Sequence, residues 1–290
     1  MQDPKTDYSQ DLSEFPTVAE LKLVSGPTGD GDARGPYVGV ALGATTIGLA
    51  PEDGAIMDLS IRRFRYDEAG HITDIDEPYA WLEHPGRPVP ADLMARTGLT
   101  EAHLEGQSID DEAAATLLRS ASFITAHHAR LQRRWVEHRL EGARGLNWAC
   151  SHDQIDWQAH GYVGDGLGLL LAQSGHLHGG HRVGTDVDAV IQLLRTPFDD
   201  GRTALKELIG KASRRTWIIR AVGADATAAD MLRRRGYFWD AEEEEWCREV
   251  GDGGRVGEEF WLAGHVYDMA MNPKAIGPSL HRVTAATRFL

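Results

Sequence analysis

The sequence contains few cysteines and no long apolar run. Cys150 and Cys247 are its only cysteines, too few for a disulfide framework and too far apart for a metal-knuckle spacing. No stretch approaches the roughly 18 consecutive apolar residues that a membrane-spanning helix needs. The first 15 residues, MQDPKTDYSQDLSEF, are polar and acidic, unlike a signal peptide. We therefore expect a cytoplasmic protein that has no membrane partner.

Basic residues are also scarce. The chain has 30 Lys and Arg against 44 Asp and Glu, a net charge of -14. This balance argues against a protein that coats DNA by bulk electrostatics, because neutralising phosphates requires clustered cations. Residues 202–235 depart from the average, with nine basic residues against three acidic ones. This segment predicts a local basic face, in which Arg233, Arg234 and Arg235 are candidate contacts to nucleic acid.

The pattern of apolar residues divides the chain into three parts. Residues 1–34 are rich in Asp, Ser, Gly and Pro and predict a flexible arm. Three strands with roughly alternating apolar residues are expected between residues 37 and 81. After Pro90, helical patterns alternate with the short strands FITA and LNWAC. The order predicts a mixed sheet flanked by helices over residues 35–196.

Residues 197–290 predict a small α+β module. TWIIRAVGA indicates a strand, TAADMLRRRG a helix that ends at Gly236, and YFWDAEEEEWCREV a hairpin. Trp239 and Trp246 are expected to face each other as the core pair of that hairpin rather than as a base-stacking platform. The module is similar to short appendages with an RGYRWD motif that some bacterial exonucleases carry.

Four segments, read in order, resemble the motifs of the DnaQ-like, DEDDh-type 3'-5' exonucleases. TTIGLAP at residues 45–51 resembles the end of D-x-E-T-T-G-L-x-P, and PVPADLMARTGLTEAHLEGQSI resembles the family's stretch around TGIT. TAHHARLQRRW resembles H-N-A-x-F-D, and residues 181–186, HRVGTD, match H-x-x-x-x-D. The resemblance implies an α/β, RNase H-like fold with a mixed five-stranded sheet. It also implies binding of single-stranded DNA or RNA 3' ends, as in the epsilon subunit of DNA polymerase III, with a polymerase or another protein as a possible partner.

The chemistry of that family depends on carboxylates. Two Mg or Mn ions about 4 Å apart activate a water and neutralise the transition state, and such hard cations take carboxylate oxygens. In this chain the positions of the four family acids are Gly43, Thr45, Gln132 and Asp186, with His181 as the general base. Only His181 and Asp186 match as catalytic residues, and Asp186 remains as a weak metal ligand.

One carboxylate beside an imidazole cannot hold two hard cations. We therefore expect weak or absent metal binding and an exonuclease scaffold that binds 3' ends with little or no catalysis. Two alternatives stay open, an active exonuclease with displaced ligands and a non-catalytic protein-interaction module. A natural pseudoenzyme and a deliberately altered active site also stay open as origins of the substitutions.

The resemblance implies further contacts to nucleic acid around the same motifs, at Thr46, Leu49, His127 and His128. His176 and His178, in the run HLHGGH, resemble a metal cluster, but that run has no carboxylate or cysteine beside it. A zinc or nickel site there is the lesser expectation.

Overall fold

The computed structural model describes residues 19–180, 182–224, 226–241, 243–267 and 277–289. Most of the predicted arm, residues 1–18, and the predicted general base His181 lie outside the described residues. The chain forms two compact units, one of residues 1–211 and 289–290 and the other of residues 212–288.

The first unit is built on a mixed sheet. Its strands are β2 (Gly26–Pro27), β3 (Tyr37–Ile47), β4 (Ala55–Tyr66), β5 (Ile72–Ile75), β6 (Tyr79–Leu82), β7 (Phe123–Ala126) and β8 (Trp148–Cys150). The order is β2-β5-β4-β3-β7-β8, and β6 also pairs with β4. The pairs from β2 to β3 are antiparallel, whereas β3, β7 and β8 run parallel. Two strands outside this sheet, β1 (Ala19–Glu20) and β9 (His176–Leu177), pair with each other.

Helices cover both faces of the long central strand β3. They are α1 (Ala91–Thr97), α2 (Glu101–Leu104), α3 (Asp111–Arg119), α4 (Ala129–Arg139), α5 (Leu167–Gln173), α6 (Val183–Leu194) and α7 (Ala204–Ala212). Val40 and Leu42 lie in a core with Trp135 of α4, while the neighbouring Gly43 lies against α6 because successive residues of a strand face opposite sides. The predicted mixed sheet flanked by helices is confirmed. It has seven strands rather than five because the short β2 and β6 join it.

Two local predictions differ from the structure. Part of the predicted arm is ordered, because the buried Arg62 side chain donates hydrogen bonds to the Leu23 carbonyl and the Ser25 hydroxyl, and a buried guanidinium requires such acceptors. The sequence TDVDAVIQLLRT favours a helix capped by Thr185, but α6 begins at Val183. The Thr185 hydroxyl instead donates back to the Arg182 carbonyl at 2.7 Å.

The boundary between the two units also differs from the predicted one at residues 196 and 197. Helix α7 belongs to the first unit. The Thr203 hydroxyl donates to the Gly70 carbonyl at 2.7 Å, and the carboxylate of Glu207 accepts from His160 at 2.6 Å. Phe289 returns to the first unit, where it is part of the hydrophobic core.

The second unit confirms a small α+β module. Its strands β10 (Thr216–Arg220), β11 (Phe238–Asp240), β12 (Glu245–Gly251) and β13 (Ser279–Val283) form a sheet in the order β11-β12-β10-β13. Helices α8 (Ala229–Arg235) and α9 (Arg255–His265) contribute Leu232 and Leu262 to its core. Trp239 and Trp246 face each other as predicted, with ring centroids 5.6 Å apart. Within the described ranges, no helix is long and apolar enough to cross a membrane.

Candidate nucleic-acid interface

The first motif lies at the end of β3, where α6 packs directly on the strand. A Cβ atom added to Gly43 would lie 2.6 Å from Val183 Cγ2 and 3.3 Å from Val187 Cγ2. Val183 and Val187 are themselves buried. This packing leaves no room at residue 43 for the carboxylate side chain that the family places there.

The second motif contributes a neutral amide that holds α4 to the same strand. Gln132 Oε1 accepts a hydrogen bond from the Ala44 amide at 2.8 Å, and Gln132 Nε2 lies 3.4 Å from the Ala44 carbonyl oxygen. An ionised carboxylate can accept but cannot donate. Gln132 therefore makes both contacts to Ala44, which an Asp at residue 132 could not do.

The third motif places Asp186 in the first turn of α6, half exposed. Its Oδ1 atom lies 2.7 Å from His178 Nε2. The hydrogen bond to Asp186 raises the pKa of His178 above its ordinary value, against the effect of burial. In the part of the chain that is described, the imidazole that pairs with Asp186 is thus His178, and the predicted role of His181 stays a prediction.

A buried acid that no motif covers lies beside these residues. Asp58 on β4 is the cross-strand partner of Thr45 on β3 and is only 2% exposed. Its Oδ2 atom accepts from Arg182 Nε at 3.0 Å. Burial raises the pKa of the Asp58 carboxyl, and the charge of Arg182 opposes that shift. One feature of the sequence indicates a buried acid here, because Asp58 lies on β4 between the apolar residues Met57 and Leu59.

The two predicted histidines at the end of β7 have different surroundings. His127 is buried, with Nδ1 at 3.0 Å from the Ser151 hydroxyl and Nε2 at 2.7 Å from the Asp165 carbonyl. Burial lowers the pKa of His127 to about 4, so its ring is neutral at pH 7. His128 is exposed, and its ring lies 4.4 Å from that of His152. His127 therefore connects loops inside the unit, and His128 is the one that a ligand can reach.

Two cavities adjoin at Asp186. The smaller has a volume of about 200 Å³ and the larger about 310 Å³. Described residues lining the smaller cavity include Gly43, His127, His128, Gln132, Val183 and Asp186. Those lining the larger include Thr45, Thr46, Arg96, Thr97, His178 and Asp186. The structure thus brings together the residues of all three motifs, with Leu49 fully exposed on the turn after β3.

The predicted arginine contacts belong to the second unit. Arg233 pairs with Asp230 at 3.0 Å and lies over the Trp246 ring. Arg235 pairs with the buried Glu258 at 3.1 Å and lies over the Trp261 ring. Arg234 is exposed. Two of the three guanidinium groups therefore have partners within the unit, and a contact of any of the three with nucleic acid stays a prediction.

The donor set does not fit the two Mg or Mn ions of the family. Hard cations take several carboxylate oxygens each. No group of three His, Cys, Asp or Glu side chains among the described residues is arranged to hold a metal ion. Asp58 and Asp186 are both already paired with basic side chains, Arg182 and His178.

Comparison with known proteins finds likeness only among solved structures. No family model and no curated protein matches the sequence. Exonuclease X in complex with 5' overhanging duplex DNA is 16% identical, over 58% of this chain and 99% of that one, with a TM-score of 0.40. A 3'-exonuclease that recognises the 3' end of a histone mRNA stem-loop is 10% identical, over 57% of this chain and 66% of that one, with a TM-score of 0.43.

Exonuclease I is 13% identical, over 87% of this chain and 63% of that one, with a TM-score of 0.48. All three similar proteins are exonucleases, the class that the motifs resemble. At these scores the likeness carries no argument about this chain, and the assignment of the site depends on the convergence of the motif residues.

Proposed function

We propose that this protein binds the 3' end of a single nucleic-acid strand on its exonuclease-like scaffold without ordinary two-metal catalysis. The observation that carries the proposal is the contact between α6 and β3. Val183 Cγ2 would lie 2.6 Å from any Cβ at residue 43, so the space of the first-motif carboxylate is filled with an apolar side chain. Without carboxylates at residues 43, 45 and 132, the site cannot hold the two metal ions that would neutralise the charge of a scissile phosphate.

The surface around the motifs supports binding. The larger of the two cavities that meet at Asp186 has a mostly polar lining, and the exposed His128 borders the smaller one. The fully exposed Leu49 offers an apolar contact beside them. An apolar side chain and an imidazole can pack on unstacked bases, a type of contact that single-stranded ends allow.

The proposal extends to partner and location. A polymerase or another protein is a candidate partner, as the resemblance to the epsilon subunit suggests. We place the protein in the cytoplasm, because its two free cysteines are buried and suit a reducing compartment.

The test combines binding and cleavage on one substrate. Fluorescence anisotropy with a 5'-labelled single strand is expected to show equal affinity in EDTA and in Mn²⁺, with no shortening of the strand on a gel. Leu49→Ser is expected to weaken binding. Val24→Ser, at another exposed apolar residue, serves as the matched control.

Two outcomes would contradict the proposal. Release of mononucleotides that requires Mn²⁺ and is lost in Asp186→Asn would indicate an active exonuclease with displaced ligands. Absence of binding to any single strand would favour the protein-interaction module instead.

A further inference from the structure

The larger cavity is lined by a guanidinium group that has no partner among the described residues. Arg96 is exposed at the last turn of α1, and it forms no ion pair or hydrogen bond with another described residue. Thr45 and Thr46 of β3 line the same cavity. Hydroxyl groups can donate to an anion, and a guanidinium presents a fork of donors that matches a phosphate.

The acids in and near the cavity each lie within hydrogen-bonding distance of a basic side chain. Asp186 Oδ1 lies 2.7 Å from His178 Nε2, and Asp58 Oδ2 lies 3.0 Å from Arg182 Nε. Of the titratable groups that the structure describes in the cavity lining, Arg96 is therefore the one without a side-chain partner. An anion entering the cavity would meet this unopposed positive charge, although the chain as a whole carries a net charge of -14.

The volume suits a small ligand group. A cavity of about 310 Å³ is large enough for a phosphate and part of a sugar, but not for several nucleotides. A phosphate monoester carries a charge of about -1.5 to -2 at pH 7, more than a phosphodiester within a strand. The attraction to Arg96 is thus greatest for a phosphate at the end of a strand.

We propose that this cavity binds the 3'-terminal phosphate of a nucleic-acid strand through Arg96, without a metal ion. The inference rests on the proposed function and names its preferred ligand, a strand that ends in a 3'-phosphate rather than a 3'-hydroxyl. The cations that neutralise the phosphate are side chains of the protein. Binding is therefore insensitive to chelators.

The test compares three forms of one labelled single strand, with a 3'-phosphate, a 3'-hydroxyl or a 5'-phosphate, by anisotropy in EDTA. Charge-assisted hydrogen bonds of this kind predict an affinity about 10- to 100-fold higher for the 3'-phosphate form. The 5'-phosphate form is expected to bind like the 3'-hydroxyl form. Mg²⁺ in place of EDTA is expected to leave all three affinities unchanged.

Substitution of Arg96 identifies the residue responsible. Arg96→Gln is expected to remove the preference for the 3'-phosphate form, and Arg96→Lys is expected to keep part of it. Arg65→Gln is the matched control, because Arg65 is exposed on β4 and lines neither cavity. Equal melting temperatures of the variants would show that each is folded.

Each remaining outcome decides between the two proposals. Binding of the 3'-hydroxyl form without preference for the 3'-phosphate would overturn the inference and leave the proposed function intact. A preference that persists in Arg96→Gln, or that requires a divalent cation, would also overturn it. Failure of all three strands to bind would overturn the proposed function itself.

Discussion

Gly43→Ala tests the contact between α6 and β3 directly. The new methyl group would lie 2.6 Å from Val183 Cγ2 and 3.5 Å from the Val183 carbonyl. Val183 is 4% exposed and Val187 1% exposed, so neither side chain can turn outward into solvent without moving the helix. Overpacking of this kind typically costs about 1 to 3 kcal/mol. For a unit of this size the melting temperature should fall by roughly 2 to 12 °C.

A double-mutant cycle isolates the contact. Val183→Ala alone should cost roughly 1.5 to 3 kcal/mol, through lost burial and the cavity left behind. Combined with Gly43→Ala, the two volume changes offset each other, so the double variant should be more stable than additivity predicts by about 0.5 to 3 kcal/mol. Gly184→Ala is the matched control, since its added Cβ would meet only Ser60 Oγ at an ordinary 3.6 Å. That control should be neutral or stabilising by about 0.4 to 1 kcal/mol.

The assay is urea unfolding followed by circular dichroism. If Gly43→Ala stays within about 0.5 kcal/mol of the parent, or if the double variant is additive, α6 does not press on β3 and the reasoning fails.

The same contact governs any restoration of catalysis. The triple variant Gly43→Asp, Thr45→Glu and Gln132→Asp supplies the family acids but forces the new side chain at residue 43 against Val183. We expect the triple variant to bind Mn²⁺ only when Val183→Ala is added. In that quadruple variant Mn²⁺ should raise the melting temperature, because a ligand stabilises the state that binds it, and metal-dependent cleavage should appear.

Two further predictions concern buried charged or titratable groups. The folded-state pKa of His127, about 4, lies below its unfolded value near 6.5, so the unfolded chain binds the proton more readily. The His127 contribution to the free energy of unfolding is therefore present above pH 6.5 and is lost as the pH falls toward 4, by roughly 3 kcal/mol. In urea unfolding at a series of pH values, His127→Gln should make the free energy of unfolding depend less on pH over this range. An unchanged pH dependence would contradict the prediction. Arg235→Ala removes a partner of Glu258, which is 4% exposed, and should destabilise the second unit by about 1 to 3 kcal/mol. The exposed neighbour variant Arg234→Ala should stay within about 0.5 kcal/mol of the parent in the same unfolding assay, and equal losses would refute the distinction.

Long elements with regular burial could be predicted from the sequence. Helix α4 buries one face against the core, and that burial imposes the period that the sequence shows. Strand β4 is buried on both faces over most of its length, and its run of apolar residues indicated a strand. The motif resemblance also identified Gly43, Gln132 and Asp186 as neighbours, which line one cavity. Strand β2 was not predicted because two residues carry no readable period. The predicted third strand, which ends at residue 81, is divided in the structure into β5 and β6.

Features that depend on distant pairing could not be predicted. Asp58 and Arg182 are 124 residues apart in sequence, and the apolar neighbours of Asp58 indicate a buried acid but not its partner. Arg96 belongs to a helix that looks ordinary in sequence, and it reaches the cavity only through the packing of that helix. The start of α6 followed the packing of Val183 rather than the capping preference of Thr185.

The return of Phe289 to the first unit means that the second unit is held at both of its ends. If residues 212–288 unfold while Phe289 stays in the core, the segment becomes a closed loop rather than a free tail. A closed loop gains less conformational entropy on unfolding than an open chain of equal length. The second unit should therefore resist local unfolding better within the intact chain than as an excised fragment. Chain connectivity alone thus links the stabilities of the two units.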